Sequence, residues 1–404
     1  MSGPLTNVIA GLDRWFDAMR VDWPTPGYGG PVIHWWNHSL AYRGAGLDWR
    51  YEGVIDGYLT LWKSTGEQVW LDKAIRAGND LVTGQLATGH FRNSAFELNP
   101  SAGGTPHEAA ADVGLLLLAR ALSERDSVAG ERFLYAARRN LEMYWFEQLW
   151  HRPSSTLRDS RDTSTFVPNK AATFIEAVLL LSELTTREDL VEQFALPTAA
   201  KILEMQVVDV TNPLYGAIAQ NRFGGRLIDA YFPHYIARVI PPLLRLHERT
   251  GDPSLRAAML AAARFLERSR EADGGFPQVI YGNGSRNRYP RWIAGSGDIL
   301  RAFIMSNQQG AEIDLDPSIE WIVCGARPDG HIATAEGFGR VMPFVSRRDR
   351  FADDLGVVGW CDKSFRSLAL LLEPSPGNLQ SSKLTSSARG IATIDESSRT
   401  MRLS

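Results

Sequence analysis

One pattern of apolar and polar positions recurs along the chain. Between Tyr51 and Gly66, the run YEGVIDGYLTLWKSTG spreads Val54, Ile55, Tyr58, Leu59, Leu61 and Trp62 over most of a helix, and Ser64-Thr65-Gly66 closes it. The next segment, EQVWLDKAIRAGNDLV from Glu67, has a narrower stripe: Val69, Trp70, Ala74, Ile75 and Leu81 against Glu67, Asp72, Lys73, Arg76 and Asp80. The pair predicts a helical hairpin whose inner helix is buried nearly all round and whose outer helix has a wet face. The same grammar returns in YIARVIPPLLRLHERTGDPSLRAAMLAAARFLE from Tyr235 to Glu267, where Thr250-Gly251 falls on Thr65-Gly66 without a gap. Looser copies are predicted at His107 to Leu122 with Glu131 to Phe146, Lys170 to Leu184 with Glu188 to Met205, and Trp292 to Asn307 with a short helix near Pro317 to Val323. A last inner helix, Asp354 to Glu373, pairs with the amphipathic opening helix, Leu5 to Arg20, which makes six hairpins.

The connections come in two lengths. Inner to outer is short, as at Ser64 to Gly66, Thr185 to Arg187 and Arg249 to Asp252, whereas the returns at 83–105, 149–169, 207–233, 273–291 and 327–353 are long. All long loops therefore collect at the N-termini of the inner helices. They are rich in Gly, Asn, Arg and aromatics, and two begin alike, with Asp273-Gly274-Gly275-Phe276 and Asp329-Gly330-His331-Ile332. A further long loop, Val21 to Trp49, carries Trp23, Tyr28, His34, Trp35, Trp36, His38, Tyr42 and Trp49. It suits a hydrophobic lid over the core and equally a stacking platform for a sugar ring.

Six hairpins with buried inner helices, short turns on one side and long aromatic loops on the other resemble the (α/α)6 toroids of the six-hairpin glycosidases and polysaccharide lyases. The runs that carry the resemblance are YEGVIDGYLTLWKSTG at Tyr51, YIARVIPPLLRLHERTG at Tyr235 and ADGGFPQ at Ala272, and it spans about Leu5 to Glu373. It is a resemblance of architecture and selects no single family. It implies an all-α toroid acting on a glycan, with the site in the funnel at the inner-helix N-termini.

Composition narrows this picture by exclusion. With 44% hydrophobic and 22% charged residues the 404-residue chain can bury a large core, read as one toroid domain over 1–373 followed by a Ser/Thr/Gly-rich disordered tail, 374–404. A net charge of −3 gives no case for nucleic acid or an anionic membrane. Cys324 and Cys361 alone exclude a disulfide scaffold and a cysteine-rich metal site. The opening residues lack a basic, then apolar, leader, and no run reaches the roughly 18 apolar residues of a membrane span. A cytoplasmic location is expected.

Candidate chemistry lies where polar residues interrupt the inner helices. Aligned by their apolar runs, Asp56, Asp112 and Glu176 are equivalent, about two turns in, and Glu52 and Glu108 lie four residues before the first two on the same face. Carboxylates on apolar helices need partners or a wet cavity. Glu108 also fits a capping box, Thr105-Pro106-His107-Glu108. Asp112 is the first choice as a catalytic acid, with Asp56, Glu52 or Glu108 as the second carboxylate and His107 beside them, for glycoside hydrolysis. Sugar contacts are expected from Trp35, Trp36, His38, Asn169, Tyr231, His234, Arg291, Trp292 and Trp360.

Two other readings compete. A uronate lyase or epimerase would draw its base and neutralising groups from Asn169, His107, His234, Tyr231, Tyr235 and an arginine, and Arg222, Arg226, Arg286, Arg288, Arg291, Arg347, Arg348 and Arg350 favour an acidic sugar. A non-catalytic sugar-binding or scaffold toroid would keep Asp56, Asp112 and Glu176 mutually bonded and dry. No metal or other cofactor is expected: Gly224-Gly225 and Gly282-Asn283-Gly284 lack the context of phosphate loops, and Cys361, though it resembles the zinc cysteine of lanthionine cyclases, lacks their second motif.

Overall fold

The computed structural model describes residues 2–23, 25–32, 41–43, 45–92, 94, 107–159, 164–337 and 353–372. Its inner helices are α2 (Arg50–Thr65), α4 (Glu108–Leu122), α6 (Pro168–Thr185), α9 (Pro233–Thr250), α11 (Gly297–Gln308) and α13 (Val358–Leu370). Each packs on the next, and α13 packs on α2, so the ring closes. Outside it lie α3 (Gln68–Thr83), α5 (Ser127–Asn140), α10 (Pro253–Ser269), α12 (Asp316–Cys324) and α1 (Ser2–Ala18), which packs on α13. The remaining outer position is filled by α7 (Glu188–Leu190) and α8 (Leu196–Leu203) on either side of a π-helical segment, Val191–Ala195. The expected all-α toroid of six hairpins is the observed fold.

The shared turn has a shared mechanism. Gly66 and Gly251 are left-handed, at φ 75° and 73°, and donate their N–H back to Trp62 and His247. The preceding hydroxyls, Thr65 and Thr250, donate to Leu61 and Leu246 at 2.9 and 2.8 Å and accept from the N–H of Glu67 and Asp252. Thr186 takes the same conformation, φ 53°, after α6, without the freedom of glycine.

The paired loop openings also prove to be one device. Gly274 and Gly330 have positive φ, and the turns drive Phe276 and Ile332 into the core at 0% exposure. A Cβ on Gly330 would strike the backbone of Gly11 on α1, so this turn is also where the loop meets the outer ring. A third copy occurs at Gly89, followed by Phe91, also fully buried.

Some boundaries differ from the pattern. The fifth inner helix starts at Gly297, not near Trp292, because Arg291–Trp292 pairs as a strand with Ala335–Glu336. The last inner helix starts at Val358, because Asp353 and Leu355 first give their carbonyls to Ala335 and Thr334. Helix α5 starts earlier than expected, capped by Asp126, and continues as a π-helix over Leu141–Leu149. Asp80, placed by the pattern on a wet face, is buried and takes both Arg20 guanidinium nitrogens at 2.7 and 2.8 Å. Both cysteines are free thiols, Cys324 exposed and Cys361 buried. Among the described residues no helix is long and apolar enough to cross a membrane. The tail 374–404 lies outside them.

Candidate active site

The N-termini of the inner helices surround a cavity of about 240 Å³; five of the six, α4, α6, α9, α11 and α13, contribute to its wall, and the residue just before α2 completes it. Trp49 precedes α2 and His107 precedes α4, followed by Ala110. Asn169, Lys170 and Thr173 come from α6, His234, Tyr235 and Arg238 from α9, Asp298 from α11 and Trp360 from α13. Long loops add Asp159, Thr165, Val167, Gln220 and Asn221. Trp49 and Trp360 meet edge to face with centroids 4.7 Å apart, and the ring of His107 lies 5.6 Å from that of Trp49. The Trp49 carbonyl is fixed by the buried Lys363 ammonium at 3.0 Å. These rings form an aromatic corner of the kind on which the C–H face of a sugar packs.

Beneath the cavity lies a ring of alternating charge. Arg238 donates to Glu52 at 2.6 Å, to Asp298 at 3.2 Å and to the Thr173 hydroxyl at 3.1 Å. Arg366 donates to Asp298 at 2.6 Å and to Glu52. Burial opposes ionisation of both carboxyls, but the flanking guanidiniums prevail and hold Glu52 well below, and Asp298 below, the ordinary carboxylate range. One layer deeper, Glu176 accepts from Arg301 at 2.9 Å and from Arg245. Charge this deep is tolerable only because every member is paired.

His234 is a wall residue on which burial disfavours charge. It is 7% exposed, and burial pushes its pKa down to about 4 against a modest opposing pull from Asp298. At neutral pH the imidazole is therefore neutral and keeps a lone pair. Its Nε2 lies 3.3 Å from the Ser296 hydroxyl. The other ionisable wall groups are engaged: Lys170 bonds Asp159 at 2.7 Å, and Arg238 belongs to the charge ring.

The predicted site residues divide. His107, Asn169, His234 and Trp360 share the cavity. The first-choice acid does not: Asp112 is 0% exposed and absent from the cavity wall, and neither of its oxygens has a hydrogen-bond partner among the described residues. Burial, and to a lesser degree the charge of Glu108, push its pKa well up. Thr105, the cap of the expected capping box, lies outside the described residues, and Glu108 opens α4. Its buried carboxylate accepts from Phe91 N–H at 3.0 Å, from Asn140 at 2.6 Å and from Ser94, and lies 3.1 Å from His90 Nδ1, so it pins the Gly89 turn to α5. Glu52 belongs to the charge ring, and Asp56 is half-buried on the same helix, outside the wall.

Tyr231 donates to Asp229 at 2.8 Å, away from the wall. Arg291 is 2% exposed, bonded to Asp273 and Glu336 and covered by the Trp321 ring at 4.3 Å. Trp292 supports Trp360 from behind at 4.9 Å. Arg222, Arg226, Arg286 and Arg288 also lie off the wall, which removes their argument for an acidic sugar. Trp35, Trp36, His38, Arg347, Arg348 and Arg350 lie outside the described residues. Arg238 was not foreseen. Its signal is an arginine four residues after His234, on the same face of an apolar helix. Among the described residues no His, Cys, Asp and Glu side chains group as a metal would need.

No protein-family profile and no curated protein sequence matches the chain. Solved structures do. Cellobiose 2-epimerase from Bacillus thermoamylovorans superposes with a TM-score of 0.67 at 12% identity, over 91% of this chain and 99% of that one. The chain has the fold of the (α/α)6 glycosidase-like toroids. An unsaturated glucuronyl hydrolase from a Bacillus species gives 0.64 at 13% identity, covering 93% and 96% of the two chains. An alpha-1,6-mannanase from a Salegentibacter species gives 0.58 at 12% identity, covering 91% and 99%. Hydrolases and an epimerase thus share this toroid, so the reaction has to be argued from the cavity.

Proposed function

We propose that the chain is a carbohydrate-active enzyme that moves a proton at a carbon of a neutral sugar, as an epimerase or aldose–ketose isomerase does. The observation that carries this reading is a neutral imidazole, His234, in the cavity wall, beside an ionised Asp298. General base chemistry needs a lone pair within reach of the substrate; glycosidic protonation by a carboxylic acid needs a carboxyl kept protonated, and Asp298 is pulled the other way. With an open-chain aldose in the cavity, His234 removes the proton on the carbon beside the carbonyl. The electron pair moves into an enediolate, whose oxygen the Arg238 edge of the charge ring stabilises. Turning the enediolate about the next carbon–carbon bond presents its opposite face, and return of the proton to the same carbon then inverts it; return to the former carbonyl carbon, with the neighbouring hydroxyl proton passing to the former carbonyl oxygen, isomerises the sugar. Trp49 and Trp360 supply the ring-stacking surface.

The neutral-sugar assignment rests on charge. Among the described residues the cations of the wall, Lys170 and Arg238, already face Asp159, Glu52 and Asp298, so these residues carry no surplus positive charge that would select a uronate over a neutral sugar. Neutral aldoses and disaccharides incubated with the purified protein, and analysed for epimer or ketose, test the reading. We expect conversion that falls at least about 100-fold in His234→Asn, the usual scale of a lost general base. Because His234 must be neutral to act, kcat/KM should hold down to about pH 4, not fall near the 6.5 of an ordinary histidine. Turnover undiminished in His234→Asn would contradict it.

One observation favours a second reading. Asp159 and Asp298 both line the cavity, and a carboxylate pair can hydrolyse a glycosidic bond. Release of reducing sugar from an oligosaccharide, with no epimer formed, would select it.

A further inference from the structure

We infer that Ser296 is a positioning residue: its hydroxyl fixes the proton of His234 on Nε2 and so turns Nδ1, with its lone pair, into the basic atom. The inference rests on the reading of His234 as the base and deepens it. Ser296 closes the short 3-10 turn Ala294–Ser296 ahead of α11 and is 0% exposed. Its Oγ lies 2.7 Å from the Trp292 carbonyl and 3.3 Å from His234 Nε2. A hydroxyl has one proton, and a carbonyl can only accept, so the shorter contact consumes that proton. What Oγ offers to His234 is a lone pair, and Nε2 must be the donor.

A neutral imidazole carries one N–H. With it on Nε2, Nδ1 has none. The opposite tautomer would set two lone pairs against each other across a dry contact, or would pull the Ser296 proton off Trp292. The Trp292 carbonyl is itself held from its other side by Trp321 Nε1–H at 3.0 Å, and its strand by Ala335. Trp292 therefore acts through Ser296 on the base, which gives a role to a residue off the cavity wall. The proton His234 gains during turnover is held at Nδ1 while the Nε2–H bond to Ser296 persists, so no other group has to move.

The test is the imidazole nitrogen spectrum of the whole protein labelled with 15N-histidine, with His234→Asn identifying the resonance. Wild type should show a single neutral form at pH 7 with its proton on Nε2. Ser296→Ala should give a mixture of tautomers, and a kcat about 10- to 100-fold lower at unchanged KM, the usual loss when the partner orienting a functional histidine is removed. Ser296→Thr, which keeps the hydroxyl, should restore both. A wild-type proton on Nδ1 would overturn the inference whether or not the variants fold, as would an unchanged tautomer in folded Ser296→Ala. Neither result depends on the base reading, which falls separately if His234→Asn keeps its turnover.

Discussion

Helices α2 and α4 carry the same acid pair at the same depth and spacing, Glu52 with Asp56 and Glu108 with Asp112, yet the two pairs end in different chemistry. Glu52 faces Arg238 and Arg366 and is held ionised by full charges. Glu108 accepts from the Phe91 N–H and the Asn140 amide, on the loop after α3 and on α5, and Asp112, one turn deeper, has no hydrogen-bond partner among the described residues and is driven toward its protonated form. Position on a stave decides whether a carboxyl is buried. The elements packed against that stave decide whether it is charged.

The comparison can be broken from the charged side first. Arg366→Met removes a guanidinium shared by Glu52 and Asp298, leaving two buried carboxylates short of countercharge, and should cost about 3–5 kcal/mol in urea unfolding. A loss under about 1 kcal/mol would mean the ring is not what stabilises the barrel centre. On the other stave, Glu108→Gln puts an amide NH2 where only acceptors fit. We expect about 1–3 kcal/mol of destabilisation there, together with earlier proteolysis near Gly89.

The smallest expected effect is the most diagnostic, because its sign depends on pH. The folded-state pKa of Asp112 is raised, so the native state binds more protons than the unfolded chain above the unfolded value near 4, and stability declines as pH rises through that window. Asp112→Asn should therefore leave the melting temperature nearly unchanged near pH 4 and raise it at pH 7, by about 1 kcal/mol in stability. Glu52 has the opposite linkage: its pKa is depressed, so its contribution is full above the unfolded value and is lost as pH falls toward the folded one. Glu52→Gln should be most damaging at neutral pH, with the gap to wild type closing in acid.

Much of the ring was legible in the sequence because hairpins repeat a local grammar. The Thr-Gly turns at Gly66 and Gly251 act within one turn of helix, and the two-length rule for loops placed the cavity mouth at the correct end. The site was legible only where a residue sits at a helix start, as His107, Asn169, His234 and Trp360 do. Asp112 misled because equivalence along the chain says nothing of what lies across the barrel. Among the described residues Asp112 has no hydrogen-bond partner, whereas Arg238, Arg301 and Arg366 reach the acids of α2 and α6 from helices 125 to 314 residues away in sequence, the longest span being the Glu52–Arg366 pair. An arginine on an apolar inner helix was the readable sign that a buried acid elsewhere has a partner.

Proton exchange between His234 and a sugar carbon can be read by incubation with a neutral aldose or reducing disaccharide in D2O, followed by proton NMR of the recovered sugar. The signal from the hydrogen on the carbon beside the carbonyl should be lost, at a rate that collapses in His234→Asn while the variant remains folded. Turnover of the sugar with that hydrogen fully retained, or exchange that persists in His234→Asn, would contradict His234 as the base.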